Sequence, residues 1–485
     1  MKMKALPVLT LSAAVFLLAS CSGNQSTGCK TNCGGGNANL SITLFDLPPA
    51  GVSILSFTLP IAGISLTPSS GTAVTVPITP TSYDATRLQT DSALLGVNMS
   101  VPAGTYTSIN VTVTASSGVF INTSGGTIGA CANGAVCGTP DGAATTIQIP
   151  ISLTLTANQN QWVGLDFRLA NAITTTNGIA IDFNQPNVMT ATTTPRVGIP
   201  AGSVDTIEDF IGVVTAVSAS SITVQSGITG HSVTAAISSN TAYDLAPVAY
   251  SSCSGTANAC VKTGNTVSLD AALSSSGVLT ATEIDVLDAV AVDEVEGTIY
   301  PTSQAGVVGL IVADKVAVTS TTPLASSSTT YGSGIFLSVG SATIYSVDTK
   351  TLSSQNLGLD ALFTGSGDLF AGQTVRVQLS NITSTSSGIS ATANNVLLRW
   401  SRLTGTVNSV AGNSFTLANI PGYINTLNPT LSLTPQVMTY VNATAFDGIT
   451  DVSGLSATTS QTASIRALYI DRAQQPFQAA KVRVP

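Results

Sequence analysis

Residues 145–169 read TTIQIPISLTLTANQNQWVGLDFRL. Ile147, Ile149, Ile151, Leu153 and Leu155 alternate there with Gln, Pro, Ser and Thr. Beyond Asn158 and Asn160 the pattern resumes with Val163, Leu165, Phe167 and Leu169. A period of two belongs to an extended strand with one covered face, because successive Cβ atoms point to opposite sides. The same period recurs at Leu40, Ile42 and Leu44, at Leu55, Phe57, Leu59 and Ile61, and at Ile109, Val111 and Val113. It returns at Ile179, Ile181 and Phe183, and Gly, Pro and Asn punctuate the runs. Residues 39–195 are therefore expected to form an antiparallel β-sandwich.

Composition points the same way for the whole chain. Of the 485 residues 44% are apolar and only 8% are charged, against about 25% charged in an average soluble chain. Surface helices need Lys, Glu, Arg and Gln, whereas exposed strand faces tolerate the abundant Thr. The expected class is all-β, with two to four domains for this length. The formal net charge is −8, with no basic footprint, which argues against nucleic acid as a partner.

Two stretches carry a family resemblance. LSITLFDLPPAGVSILSFTLPIAGISL (40–66) and VPAGTYTSINVTVT (101–114) resemble the exported bacterial family called domain of unknown function 4382. Phe45-Asp46-Leu47-Pro48 stands where that family has Thr-Asp-Ala-Pro. The family has no established activity, so the resemblance implies fold and location more than function.

After a linker at 196–206 the chain repeats itself. Gly212-Val213-Val214, leading to Ser221-Ile222-Thr223-Val224, returns as Gly405-Thr406-Val407, leading to Ser414-Phe415-Thr416-Leu417. Thr241-Ala242-Tyr243-Asp244 returns as Thr444-Ala445-Phe446-Asp447. Leu279, Ala281 and Ile284 match Phe477, Ala479 and Val482 in spacing. A diverged middle copy has Gly297-Thr298-Ile299, Thr343-Ile344-Tyr345 and Gly372-Gln373-Thr374-Val375, the last echoing Gly264-Asn265-Thr266-Val267. The third copy shows no such Gly-x-x-Val element. Copies this long are tandem domains and not solenoid units. Three small β-barrel modules are expected, at 207–290, 291–398 and 399–485. The shared pattern resembles a second uncharacterised family, domain of unknown function 5666, which implies OB-like modules.

The beginning of the sequence reads as an export signal. Lys2 and Lys4 precede an apolar run, Ala5 to Leu18, too short to span a bilayer. Leu18-Ala19-Ser20-Cys21 resembles a bacterial lipoprotein processing site, with 1–20 removed and Cys21 lipidated. Losing Lys2 and Lys4 would take the net charge from −8 to −10. Ser22 after the cysteine favours the outer membrane, and residues 21–38 read as a flexible tether. Seven cysteines less Cys21 leave the close pairs Cys29/Cys33, Cys131/Cys137 and Cys253/Cys260, which read as disulfides in an exported chain. Thiolate metal sites want four ligands, and the one histidine, His231, lies in a polar turn.

No motif carries chemistry. There is no G-x-S-x-G elbow for a triad with His231, and no phosphate loop or H-E-x-x-H helix. His231 reads as a surface-loop residue. The acidic run Glu283, Asp285, Asp288, Asp293, Glu294 and Glu296 lacks a calcium-loop pattern and reads as a solvated joint. Asp244 and Asp447 read as strand-end residues bonded to their own turns. Trp162, Trp400, Tyr106, Tyr243 and Tyr345 are the aromatics a sugar-binding face would use, though alternation places most of them in the core. The expectation is a lipid-anchored outer-membrane protein with no cofactor, no metal and no enzymatic activity, and a binding or structural role. A carbohydrate-binding or adhesive protein is the second reading and a glycan-acting hydrolase the third. Its partners would be the membrane and a glycan or envelope protein.

Overall fold

The computed structural model describes residues 35–46, 53–174, 179–245, 257–288, 293–317, 322–325, 329–385, 388–427, 431–470 and 475–484. Strands take up 56% of the described residues and helices 8%, so the class is all-β. Cys21, Cys29, Cys33 and Cys253 lie outside the described residues, as do the leader and most of the tether.

Two sheets form the N-terminal part. The first runs in the order Met189–Thr192, Asn160–Phe167, Asn37–Asp46, Ala93–Pro102. The second runs Val136–Gly138, Ser117–Ile121, Ile54–Pro68, Gly104–Val113, Thr145–Leu155, with Val74–Val76 and Thr81–Asp84 also paired to Ile54–Pro68. Leu40, Ile42, Val163 and Leu165 of one sheet share a core with Phe57, Ile109, Val111 and Ile149 of the other.

The expected all-antiparallel arrangement does not hold. Asn37–Asp46 and Asn160–Phe167 are parallel, from Asn39 opposite Asn160 to Asp46 opposite Phe167. Parallel neighbours need a long crossover, and here the whole second sheet intervenes between them. The run at Ile179, Ile181 and Phe183 is also not a full strand. Only Ala180–Ile181 pairs, with Ile173–Thr174. Phe183 instead enters the core beside Phe57 and Phe167, with ring centroids 6.5 and 6.1 Å away.

The rest of the chain makes three rings of one design. In the first, Ser203–Val217 pairs with Ser221–Gln225 and Thr266–Ser274; Ser221–Gln225 leads to Ser232–Ala236, and Thr266–Ser274 to Leu279–Asp288. A parallel contact, Ala236 opposite Thr280, closes the ring. The second ring uses Asp293–Pro301, Val307–Ala317, Gly334–Ser338, Thr374–Thr385 and the start of Gly388–Ala411. It closes where Ile335–Ser338 runs parallel to residues 389–392. The third uses the end of that same 24-residue strand with Ser414–Ala418, Gln436–Met438, Thr462–Tyr469 and Phe477–Arg483, closing at Val437 opposite Phe477. The long strand changes rings between adjacent residues: Arg399 pairs with Thr374, and Trp400 with Leu468.

Two devices explain the repeated residues. A Cβ on Gly212, Gly297 or Gly405 would run into the carbonyl oxygen of Gln225, Ile311 or Ala418, so the first strand of each ring passes its neighbour at glycine. The Thr of the T-x-Y/F element ties the ring together. Thr241, Thr343 and Thr444 donate to the carbonyls of Ala281, Ala393 and Ala479 at 2.8, 2.9 and 2.7 Å. The same three hydroxyls accept from the backbone N–H of Ser238, Gly340 and Tyr440. The Gly-x-x-Val element of the third ring is Ser460-Gln461-Thr462-Ala463. Ser460 takes the left-handed conformation (φ 51°) that Gly264 and Gly372 take in the other rings. The Gln461 side chain accepts from Ser456 N–H just as Asn265 and Gln373 accept from Lys262 and Phe370.

Candidate functional site, a buried ion-pair junction

The scarce charges are concentrated where the N-terminal sheets meet the rings. The first strand of each ring carries charge just ahead of its glycine: Glu208 and Asp209, then Glu296, then Arg399 and Arg402. In the first ring a register shift between Ile207 and Phe210 places Asp209 in a bulge at φ 52°, a conformation non-glycine residues rarely adopt. Its N–H donates to Asp270 at 2.7 Å.

Asp209 is the acceptor for three guanidinium groups, those of Arg402 at 2.8 Å, Arg466 at 3.3 Å and Arg399 at 3.4 Å. From there the network spreads. Arg399 also pairs with Glu296 at 3.0 Å and with Asp348, and Arg402 pairs with Asp91 at 2.6 Å. Arg87, on the turn Arg87–Gln89, contacts Asp314 at 2.6 Å and Glu296 at 3.3 Å. Glu208 takes Lys481 at 2.7 Å and Arg466 at 3.0 Å. Asp447 takes Arg196 at 2.6 Å and Arg483 at 2.7 Å, and Arg196 continues to Asp205 at 2.7 Å. Seven of the 16 Lys and Arg residues thus end in one network drawn from every unit of the fold.

Arg483 is completely buried. Its guanidinium donates to the Asp447 carboxylate, to the carbonyls of Leu88 (3.1 Å) and Asp91 (2.8 Å), and to Ser92 Oγ (3.3 Å). Arg196 lies 4.3 Å from the Phe45 ring centroid, within cation–π range. Desolvating so many charges costs several kcal/mol per ion, so the pairs roughly break even as a group. Removing one partner is expensive, because it strands the other. The network therefore fixes which surfaces meet more than it adds stability.

The electrostatics follow from burial and from the uneven supply of cations. Burial raises the Asp209 carboxyl, but Arg466, Arg399 and Arg402 outweigh it and hold it far below the usual carboxylate range. Burial likewise opposes, and Arg399 and Arg87 overcome, the shift at Glu296, which ends low. Asp447 is held low by Arg483 and Arg196 against its burial. Asp270 forms no ion pair among the described residues, and the nearby Arg466 only partly offsets its burial. Burial and then the negative charge of Asp209 push it up to about 7. Asp314 shares Arg87 with Glu296, and burial leaves it at about 7.

A cavity of about 80 Å³ adjoins the network, lined by Asp84, Arg87, Asp209, His231, Asp314 and Tyr331 among others. That is room for a few waters, not for a sugar or a nucleotide. Among the described residues, no group of three or more His, Cys, Asp or Glu side chains could hold a metal ion.

Several sequence expectations change here. His231 lies in its turn but is half-buried there. Its ring sits edge-on to Tyr83 and Phe210 at 6.2 and 6.3 Å, its Nε2 has no partner, and burial lowers its pKa. The acidic run is not a solvated joint: Glu296 and Glu294 are buried, paired with Arg87 and Arg399 and with Arg376. Glu283 and Asp285 share Lys350, while Asp293 accepts from Thr322 at 2.9 Å. Nothing is described of the Asp288 side chain. Asp447 does not bond its own turn but anchors Arg196 and Arg483. Trp162, Trp400 and Tyr106 are buried, and Tyr243 and Tyr345 half-buried, so these five do not make an exposed aromatic face. Cys131 and Cys137 form a disulfide; Cys260 is disulfide-bonded, and Cys253, its expected partner, lies outside the described residues.

The two N-terminal sheets coincide with a known family. Residues 37–183 match the family described as a domain of unknown function (DUF4382). No curated protein matches the chain. The DUF4382 segment supplies Arg87 and Asp91 to the junction, and the residues beyond it supply every other charge. No local pattern marks these partnerships, because they join positions as far apart as Asp91 and Arg483.

Proposed function

We propose that the chain is a lipid-anchored cell-envelope protein with a non-enzymatic binding or structural role at the outer membrane, held there through Cys21. On this reading the DUF4382 segment is a β-sandwich, and the three rings are OB-like modules resembling domain of unknown function 5666. The observation that carries the non-enzymatic half of this reading is the fate of the charged side chains. Those at the junction are committed to ion pairs between units, and the cavity beside them holds only a few waters. Such a junction positions domains; it offers no open carboxylate pair or activated nucleophile to a substrate.

The test is the intact mass of protein extracted from membranes, with and without reduction and alkylation. Loss of 1–20, an acyl-glyceryl mass on Cys21 and no alkylation before reduction support the anchor and three disulfides. An unprocessed chain with six alkylatable thiols overturns the reading. A glycan hydrolase activity abolished by one carboxylate substitution overturns its non-enzymatic half.

A further inference from the structure

A second, larger opening lies on the outside of the same junction. It is a groove of about 590 Å³ between the second N-terminal sheet and the first two rings, within the size range of small-molecule sites. One wall is Thr58, Pro60 and Ile61 on Ile54–Pro68, together with Pro80, Thr81 and Ser82. Thr114, Ala115 and Ser117 form the rim, and Ile228, Thr229, Thr330 and Tyr331 come from the rings.

No lining residue is charged, although the ionic network lies immediately behind. Tyr331 lines both spaces. Among the described residues the hydroxyls of Thr58, Ser82, Thr114 and Ser117 have no hydrogen-bond partner, in contrast to the ring threonines Thr241, Thr343 and Thr444. Thr114 and Ser117 are exposed at the rim, where their hydroxyls are open to the hydroxyls of a ligand.

We propose that this groove binds a neutral oligosaccharide. Hydroxyl side chains both donate and accept, as sugar hydroxyls do. Pro60, Pro80 and Ile228 offer apolar surface to sugar C–H faces, and the Tyr331 ring adds an amphipathic one. An acidic glycan, a nucleotide or a charged peptide would find no counter-charge in the lining. The site gives the binding half of the proposed role a location, yet it does not depend on the lipid anchor.

The experiment titrates the full chain, in a detergent without a sugar headgroup, with cellohexaose, maltohexaose, laminarihexaose and an acidic control, hexagalacturonate. Saturable binding of at least one neutral hexasaccharide is expected, unchanged from about 0.05 to about 0.5 M salt. Ala115→Trp, at an exposed rim position, is expected to weaken it at least ~10-fold while leaving the unfolding curve unchanged. Ser117→Ala, which removes an exposed rim hydroxyl, is expected to weaken it without loss of fold. No binding by any neutral sugar, tighter binding of the acidic control, or full affinity in Ala115→Trp would overturn the proposal. So would capture of an extended Ser/Thr peptide in place of the sugars. Because binding is read on the chain whether or not Cys21 is lipidated, a failed anchor and a failed groove remain separate results.

Discussion

On Thr145–Leu155 the polar positions Gln148, Pro150, Ser152 and Thr154 are exposed. On Asn160–Phe167 the corresponding positions, Trp162, Gly164 and Asp166, are buried. Both strands put their aliphatic residues into one core, so the difference lies on the other face. Trp162 packs with Val204 and Ile207 of the first ring and donates to Thr43 Oγ1 at 3.0 Å. Thr43 in turn donates to Asp205 at 2.5 Å, and Phe45 meets Arg196. Alternation reveals that one face is covered; it is silent on whether a second body covers the other. The ionic junction is what covers this one.

The comparison breaks most severely if the junction is cut. Arg483→Ala strands Asp447 beside fewer cations and leaves the Leu88 and Asp91 carbonyls short of a donor. We expect a loss of about 3–5 kcal/mol in urea-induced unfolding. A loss under ~1 kcal/mol would show that the surfaces hold without their charges.

Trp162→Ala tests the same face through packing, with an expected cost of about 3–5 kcal/mol. Thr154→Ala, at a like position on the exposed strand, is expected to stay within about 0.5 kcal/mol. Equal effects from the two would remove the distinction between the strands.

The pH dependence sharpens it further. Asp270 sits at about 7 in the folded chain, against roughly 3.9 unfolded. The folded state therefore holds the extra proton, and stability from this group is present at low pH and lost as pH rises from about 4 to about 7. Asp270→Asn keeps an oxygen for Asp209 N–H and removes the titration. It is expected to be neutral near pH 4 and stabilising by about 2–4 kcal/mol at pH 8. A variant that stays less stable than the parent at pH 8 would contradict the assignment. Glu208, Asp209, Glu296 and Asp447 act in the opposite sense. Their contribution is present above the ordinary carboxylate range and is lost as pH falls through their depressed values.

A smaller loss than those at the junction is expected from the ring threonines. Thr444→Val deletes the hydrogen bond to the Ala479 carbonyl and should cost about 1–2 kcal/mol. Thr241→Val should cost about the same, since the contact is repeated.

What was legible in the sequence was local. Strand period, the ring glycines and the T-x-Y/F element each act through neighbours in one sheet, and a repeat makes them visible twice. Ser460 escaped notice because the backbone conformation is retained while the glycine that usually marks it is not. The charges were misread for a different reason. A carboxylate next to a turn looks solvated until the guanidinium that reaches it, hundreds of residues away, is placed. His231 fell to the same blindness: its backbone bonds the polar turn, but its ring packs against the distant Tyr83 and Phe210.

The strand Gly388–Ala411 has a mechanical meaning. Where domains are joined by a loop, tension straightens the loop before it reaches either fold. Here Arg399 and Trp400 are consecutive residues laddered into different rings. There is no slack between those rings to take up. A pull on one reaches the next along a single backbone, and bending between them must first break ladder hydrogen bonds. Joined in this way, the two rings form a strut.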